Sequence, residues 1–444
     1  MNSTPRITSG LCNSTHMRQI AACAETPYML LSLDADTTID ITPQEFDRLA
    51  SVMSDTGSAI VYSDYRIAMD GDTKIIRCID YREGAVRDDF NFGPIVLINT
   101  DLLKMCVDTL PNDYDYAAWY HTRLHLSRLG SVTHIPEPLY TATPPTENAK
   151  EGERHFSYVN PRNRAVQIEM ERACTCHLKA IDAFLEPNFE EPDYGDVFPV
   201  EASIIIPVRN REATIGDAVF SALDQLTDFP FNVIVVDNHS TDGTSDILRR
   251  LSDDPRLIHI IPDSTDLGIG GCWNLALAHH QCGRFAVQLD SDDIYSSSST
   301  LQTIVDHFRR QPCAMVVGSY SLTDINLQPI PPGIIDHREW TDSNGRNNAL
   351  RINGLGAPRA FATAIARRMP MPNVSYGEDY AMGLRISRTY RIGRIYDVLY
   401  LCRRWGGNSD SSLSMERANE YNAYKDTLRT WEIRARQSMN RSNG

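Results

Sequence analysis

The stretch Phe285-Ala286-Val287-Gln288-Leu289-Asp290-Ser291-Asp292-Asp293 decides how this chain is read. An apolar, β-favouring run ends abruptly in three carboxylates with one serine among them. In an open α/β sheet, ligands sit beyond the carboxyl ends of the strands, so a buried strand delivering clustered acids there marks a site. Asp-x-Asp in that place suits a hard divalent cation held together with substrate phosphates. Taken by itself, the same run also fits a solvated acidic turn.

Working backwards, the alternation of elements is clear. Ser203–Val208 reads as a strand running into a turn, 214–226 as a helix, Asn232–Asp237 as a strand and Thr244–Leu251 as a helix. Leu257–Ile261 is a third strand and 271–280 a helix leading into Phe285. Strands alternating with helices at this spacing predict a largely parallel sheet covered on both faces. Asp237 and Asp290 therefore end strands on one edge. Further on, Glu378-Asp379 follows Gly377 and opens a predicted helix, and 415–437 reads as a final helix.

The N-terminal part echoes the C-terminal part. Met29–Asp36 matches Phe285–Asp292, with Asp34-Ala35-Asp36 in place of the acidic triplet. Ile60–Tyr65 matches Met315–Tyr320, Asp115-Tyr116-Ala117 matches Asp379-Tyr380-Ala381, and Pro138-Leu139-Tyr140 matches Val398-Leu399-Tyr400. Nothing before residue 11 matches Ser203–Ile261, so the first copy lacks the leading βαβαβ half. Thr42, Pro43 and Glu45 form a capping box for an early helix. Between the copies, a proline- and acid-rich stretch contains an amphipathic helix with Val166, Met170, Ala173, Cys174, Leu178, Ile181 and Leu185 on one face. The expected organisation is a truncated module over 1–141, a linker over 142–199, a full module over 200–414, and a helix and tail over 415–444.

Composition bounds the function. The 444 residues imply two or three domains. A formal net charge of −15 argues against sequence-independent nucleic-acid binding. It leaves room for a single nucleotide whose charge a metal offsets. No run approaches the roughly 18 apolar residues of a membrane span, and Met1–Arg6 lacks the apolar core of a secretory signal. Ten cysteines without paired spacing fit reduced thiols, so a cytoplasmic location is expected. Cys174-Thr175-Cys176-His177 has no second ligand pair, and no structural zinc is expected there. Oligomeric state is not legible.

Five motifs in order carry a family resemblance: Ile205–Glu212, Val235–Thr244, Leu289–Asp293, Tyr376–Tyr380 and Cys402-Arg403-Arg404-Trp405. Together they resemble family-2 glycosyltransferases of the α/β nucleotide-diphospho-sugar (GT-A) fold, a Rossmann-like mixed sheet. The two-module layout is similar to tandem proteins of gut Bacteroidetes type. The resemblance implies an inverting enzyme that moves a hexosyl group from a UDP- or GDP-sugar to a hydroxyl of a carbohydrate acceptor. It gives donor contacts to Pro207, Val208, Arg209, Glu212, Asp237, Asn238, Asp290 and Ser291. Asn238 stands where the family has a second aspartate, and His239 where it has glycine.

Asp290 and Asp292 would hold Mn2+ or Mg2+ on the diphosphate, and Asp293 would cap the following turn or helix. Asp379 is the expected general base, with Glu378 a helper or a first-turn acid offsetting the helix dipole. No histidine stands in the final loop, so either the third protein ligand is missing or Asp410 or Asn408 replaces it, and Arg403 or Arg404 could instead grip the diphosphate. The polar, glycine-rich stretch 344–358 suggests acceptor contacts from Trp340, Arg346, Asn347 and Gly354.

Two other classes compete. A non-catalytic carbohydrate-binding or scaffold protein of decayed modules would fit the truncated N-terminal copy. Nucleotidyl transfer would want a glycine-rich basic loop after the first strand, and Pro207–Glu212 lacks the glycines.

Overall fold

The computed structural model describes residues 13–69, 71–145, 164–195, 197–406 and 414–443. They form two compact units, the first built from residues up to 145, 164–184 and 414–443, the second from 185–406.

The first unit runs α1 (Ser14–Cys23), β1 (Tyr28–Ser32), β2 (Thr38–Asp40), α2 (Pro43–Thr56), β3 (Ile60–Met69), β4 (Asp72–Ile76), β5 (Ile95–Asn99), α3 (Thr100–Asp108), α4 (Ala118–Leu129), β6 (Val132–Thr143) and α5 (Arg164–Ala180). Its sheet order is β1-β5-β3-β6-β2, with β4 paired to β3. The capping box at α2 forms as expected, with Thr42 N donating to Glu45 Oε2 at 2.9 Å and Glu45 N to Thr42 Oγ1 at 3.3 Å. β6 runs from Val132 through two prolines to Thr143. Pro136 and Pro138 look like a strand end, yet the ladder shifts register there, pairing Ser63 with Ile135 and then Asp64 with Pro138. A bulge absorbs residues that cannot donate, and pairing resumes beyond it.

The second unit continues with β7 (Ala202–Val208), α6 (Ile215–Leu223), β8 (Phe231–Asp237), α7 (Thr244–Leu251), β9 (Leu257–Ile260), α8 (Ile269–Ala278), β10 (Phe285–Gln288), β11 (Ile294–Tyr295), α9 (Thr300–Arg310), β12 (Met315–Asp324), β13 (Pro329–Ile335), α10 (Gly345–Asn348), β14 (Arg359–Ala362), α11 (Thr363–Arg368), α12 (Glu378–Thr389) and β15 (Ile392–Arg404). The nine-stranded sheet has the order β9-β8-β7-β10-β14-β12-β15-β11, with β13 on β12. β9, β8, β7 and β10 are mutually parallel, and β14 enters antiparallel between β10 and β12. Every residue of β8 and of β10 is buried, as both faces of a parallel sheet require. Ile204, Ile206, Val233 and Val235 belong to a core that includes Ile215 and Val219 of α6 and Leu301, Ile304 and Phe308 of α9.

The β10-β14-β12-β15-β11 part of this sheet, with its β13 hairpin, repeats the first unit strand for strand. The bulge recurs too, since Val317 pairs with Arg394 and Ser319 with Val398. Counterparts of β7, β8 and β9 are missing among the described residues of the first unit. The last helix, α13 (Met415–Asn443), packs within that first unit. Arg87 and Arg429 both meet the buried Asp426, at 3.2 and 2.9 Å. Gly84 lies so close that a Cβ there would stand 2.1 Å from the Asp426 carbonyl oxygen.

Candidate active site

The carboxyl ends of β7, β8 and β10 meet on one edge, as their parallel registers require. Beyond β7, Asn210 adopts φ +53 and the chain doubles back. The turns after β7 and β8 then interlock. Asn210 N donates to Ser240 Oγ at 3.0 Å, Thr241 N to Asn210 Oδ1 at 2.7 Å, and Glu212 N to Asp242 Oδ2 at 3.1 Å. Gly243 N donates back to Glu212 Oε2 at 2.6 Å. Pro207 is half-buried, Val208 is buried, and Arg209 and Glu212 are exposed on this paired-loop surface.

Asp237 does not offer its carboxylate to that surface. The side chain is fully buried and accepts Ser240 N at 3.0 Å, the Ser245 hydroxyl, and His259 Nε2 at 3.4 Å. Burial works against its charge, but the hydrogen bonds from His259, Ser240 and Ser245 outweigh it and hold the carboxyl well below the usual range. Asn238 donates Nδ2 to Leu267 O at 2.7 Å, and its Oδ1 is buried without a partner among the described residues.

The acidic turn after β10 is held from several sides. Tyr400 OH accepts Asp290 N at 2.9 Å, and Gln288 Nε2 lies 2.9 Å from each Asp290 carboxylate oxygen. Thr214 Oγ1 donates to Ser291 O at 3.0 Å, and Arg211 Nε lies 3.6 Å from Asp292 Oδ2. Asp293 caps no helix. It is buried and accepts Arg403 N at 2.7 Å. Burial, reinforced by the charges of Asp290 and Asp292, pushes its carboxyl well above the usual range. Arg403 is buried, donating Nε to Asp292 O at 2.5 Å and pairing with Asp217 at 2.8 Å. Its guanidinium thus braces the acidic turn.

On the other side of the edge, Gly377 turns at φ +79 and Glu378 and Asp379 open α12. Asp379 Oδ1 accepts Tyr380 N at 2.7 Å, and Asp379 Oδ2 lies 2.8 Å from Arg359 Nη1. The Asp379 side chain keeps 22% of its surface exposed. Glu378 is buried, with Oε2 unpartnered among the described residues. Burial, then the Asp379 charge, pushes it up to about 8. An acid raised on folding is uncharged in the folded chain between its two values. Stability therefore falls as pH rises from about 4.5 to about 8, and is level above that. Glu378→Gln is expected to remove this slope, gaining in melting temperature over the parent at pH 9 but not at pH 4.5.

The loop before Gly377 is pinned to the first turn of α8. Gly268 N donates to Asn373 Oδ1 at 2.7 Å and Gly270 N to Val374 O at 3.0 Å. A Cβ at residue 270 would stand 2.0 Å from the Pro372 carbonyl oxygen. Gly270→Ala is expected to destabilise the fold by about 2 kcal/mol through this backbone clash, read as a lowered urea midpoint.

The suggested acceptor residues lie elsewhere. Arg346 is buried and donates to the carbonyls of Glu186, Asn188, Ser387 and Arg388. Asn347 is bonded through both amide atoms to the Leu185 backbone, at 3.0 and 2.8 Å. Trp340 is buried against Gly345, where a Cβ would lie 2.2 Å from its Nε1. These three hold the fold rather than face the edge. Gly354 and Arg404 are half-buried, and Asp410 and Asn408 lie outside the described residues. Arg359, which no motif marked, and Gln288, Arg211 and Tyr400, whose stretches were marked without a site role for these residues, are brought in by the sheet.

In the first unit, Asp34 accepts Asp36 N at 3.1 Å and Thr37 Oγ1 at 2.7 Å, closing a local turn. The amides of Asp115, Tyr116 and Ala117 all donate to Glu169, at 2.7–3.1 Å. A side chain from α5 thus occupies the helix start that corresponds to Asp379.

The family model for glycosyl transferase family 2 matches residues 203–372. The Bacillus subtilis protein named "Putative teichuronic acid biosynthesis glycosyltransferase TuaG" is 35% identical over 188 residues, 41% of this chain and 71% of that protein. The chain belongs to glycosyl transferase family 2. A second relative, the Escherichia coli UDP-Glc:alpha-D-GlcNAc-diphosphoundecaprenol beta-1,3-glucosyltransferase WfaP, is 31% identical over 188 residues, 41% of this chain and 69% of that protein. Among solved structures, S. aureus TarS in complex with UDP-GlcNAc superposes with a TM-score of 0.41 at 23% identity, over 55% of this chain and 74% of that chain. The family match and the sheet order make the second unit a GT-A glycosyltransferase domain. The described strands of the first unit repeat the order of the second half of that domain's sheet.

Proposed function

We propose that the second unit is an inverting hexosyltransferase that takes a UDP- or GDP-linked sugar and glycosylates a carbohydrate hydroxyl. The observation that carries this reading is the placement of Asp290 and Asp292 on the same sheet edge as a partly exposed Asp379 paired to Arg359. The donor's nucleoside would lie on the interlocked turns at 207–212 and 238–243. WfaP, as named, uses UDP-Glc, which supports a nucleotide-sugar donor.

Asp290 and Asp292 suit Mn2+ or Mg2+. Among the described residues no cluster of three or more ligating side chains forms a ready cage. Two carboxylates, with substrate phosphates and water completing the shell, are what such ions take. The ion, when bound, would neutralise the departing diphosphate so that the leaving group need not be protonated. Asp379 would remove the proton from the acceptor hydroxyl as it attacks the anomeric carbon from the face opposite the diphosphate. Arg403 and Arg211 would keep the acidic turn in place beneath it.

The first unit is read as non-catalytic. Its described residues contain no counterparts of β7–β9, its Asp34 closes a local turn, and Glu169 fills its helix start. No helix among the described residues is long and apolar enough to cross a membrane; a cytoplasmic location remains part of the proposal.

The stereochemistry can be tested without knowing the acceptor, by letting water take the place of the acceptor hydroxyl. Proton NMR of the sugar released from UDP-Glc, UDP-GlcNAc or GDP-Man, recorded before mutarotation, is expected to show the β-anomer first. Release of the α-anomer would refute the inverting reading.

A further inference from the structure

The acid on the donor side and the acid proposed as base are joined by one run of hydrogen bonds through two residues that neither motif contains. Arg359 opens β14, which pairs antiparallel with β10, Ala360 opposite Val287. That register sets residue 359 beside Gln288, and Arg359 N donates to Gln288 Oε1 at 3.0 Å. With its oxygen facing an N–H, the amide must turn its Nε2 toward Asp290, where it lies 2.9 Å from both carboxylate oxygens. The flipped amide would set oxygen against carboxylate and NH2 against N–H, so the orientation is fixed by both neighbours at once. At the other end of the same residue, Arg359 Nη1 lies 2.8 Å from Asp379 Oδ2 and 2.8 Å from Gly356 O. With Tyr380 N on its other oxygen, the Asp379 carboxylate is held at both ends.

We propose that Gln288 and Arg359 are positioning residues for transfer, Gln288 setting the plane of Asp290 and Arg359 that of Asp379. Because Arg359 reaches both, through its amide on one side and its guanidinium on the other, a single strand residue fixes the spacing between the donor-side acid and the base. A misplacement of about 1 Å at a reacting centre costs on the order of 100-fold in rate, which is the scale expected for losing such a brace. The inference rests on the reading of Asp379 as base. A lysine should substitute in part, because only one nitrogen of Arg359 makes both side-chain contacts, and an ammonium can donate to two acceptors.

The test uses the full chain, with donor hydrolysis followed as nucleoside-diphosphate release and binding of UDP with Mn2+ measured by calorimetry. Arg359→Met is expected to lower kcat about 100-fold while UDP–Mn2+ affinity stays within about threefold. Arg359→Lys should recover at least about tenfold of that loss. In an Asp379→Asn background, Arg359→Met should cost no more than about twofold, because the group it positions no longer takes the proton. Gln288→Leu should weaken UDP–Mn2+ binding about tenfold.

Equal losses in the Lys and Met variants, or a full further loss in the Asp379→Asn background, would assign Arg359 a general structural role and overturn the inference. If Arg359→Met fails to fold, the Lys variant and Gln288→Leu decide: wild-type kcat and UDP–Mn2+ affinity in both would overturn it. Unchanged turnover in Asp379→Asn alone would instead remove the base reading. A slow Asp379→Asn beside a fast Arg359→Met would leave that reading standing and defeat only the positioning role.

Discussion

Replacing Asp379 by asparagine is expected to lower kcat about 1,000-fold while UDP affinity in the presence of Mn2+ stays within about threefold. The substitution keeps the size of the side chain and its bond from Tyr380 N, so α12 has no reason to unwind. It removes the proton acceptor proposed for the open side of the edge. Glu378 cannot stand in: it is buried, its pKa is raised, and it faces inward at the first turn of the same helix. Turnover within about threefold of wild type would take Asp379 out of the reaction.

The second large effect is expected at Asp292. Asp292→Ala should abolish the Mn2+-dependent part of UDP binding, a loss of about 30-fold or more in affinity, and leave only the weak metal-independent part. Asp292 is half-buried at the acidic turn, with Arg211 Nε 3.6 Å from its Oδ2. Asp293 cannot replace it, being buried and bonded to the Arg403 amide. Calorimetric titration of UDP with Mn2+ and with chelator separates the two components. An Mn2+ enhancement equal to wild type would place the ion elsewhere.

The elements that made the fold legible were those whose pattern is local. The apolar runs at 203–208, 232–237 and 285–288 have one reading as buried parallel strands, and the acids at their ends follow from the sheet edge. The repeat was visible because matching registers preserve matching letters, down to the tyrosines at 140 and 400. The capping box at Thr42 needs only four residues.

What was hidden depends on contacts far apart in sequence. Arg359 stands just past the polar stretch 344–358 with no motif of its own, and its importance comes from the register of β14 against β10, which no local pattern encodes. Composition misplaced Arg346 and Asn347, because a polar, glycine-rich stretch reads as surface loop whether its donors meet water or buried carbonyls. The acidic residue at the end of β8 was assigned a ligand contact, but the hydroxyls and imidazole that enclose Asp237 come from 240, 245 and 259. Prolines 136 and 138 concealed most of β6, since a bulge is defined by its partner strand.

The most direct measurement is nucleoside-diphosphate release from UDP-Glc, UDP-GlcNAc and GDP-Man by the full chain, with Mn2+ and then with excess chelator. Release from at least one donor, at least about tenfold faster with the ion and lost in Asp292→Ala, is the result predicted. No release from any donor, together with no Mn2+-dependent binding of UDP or GDP, would contradict the account.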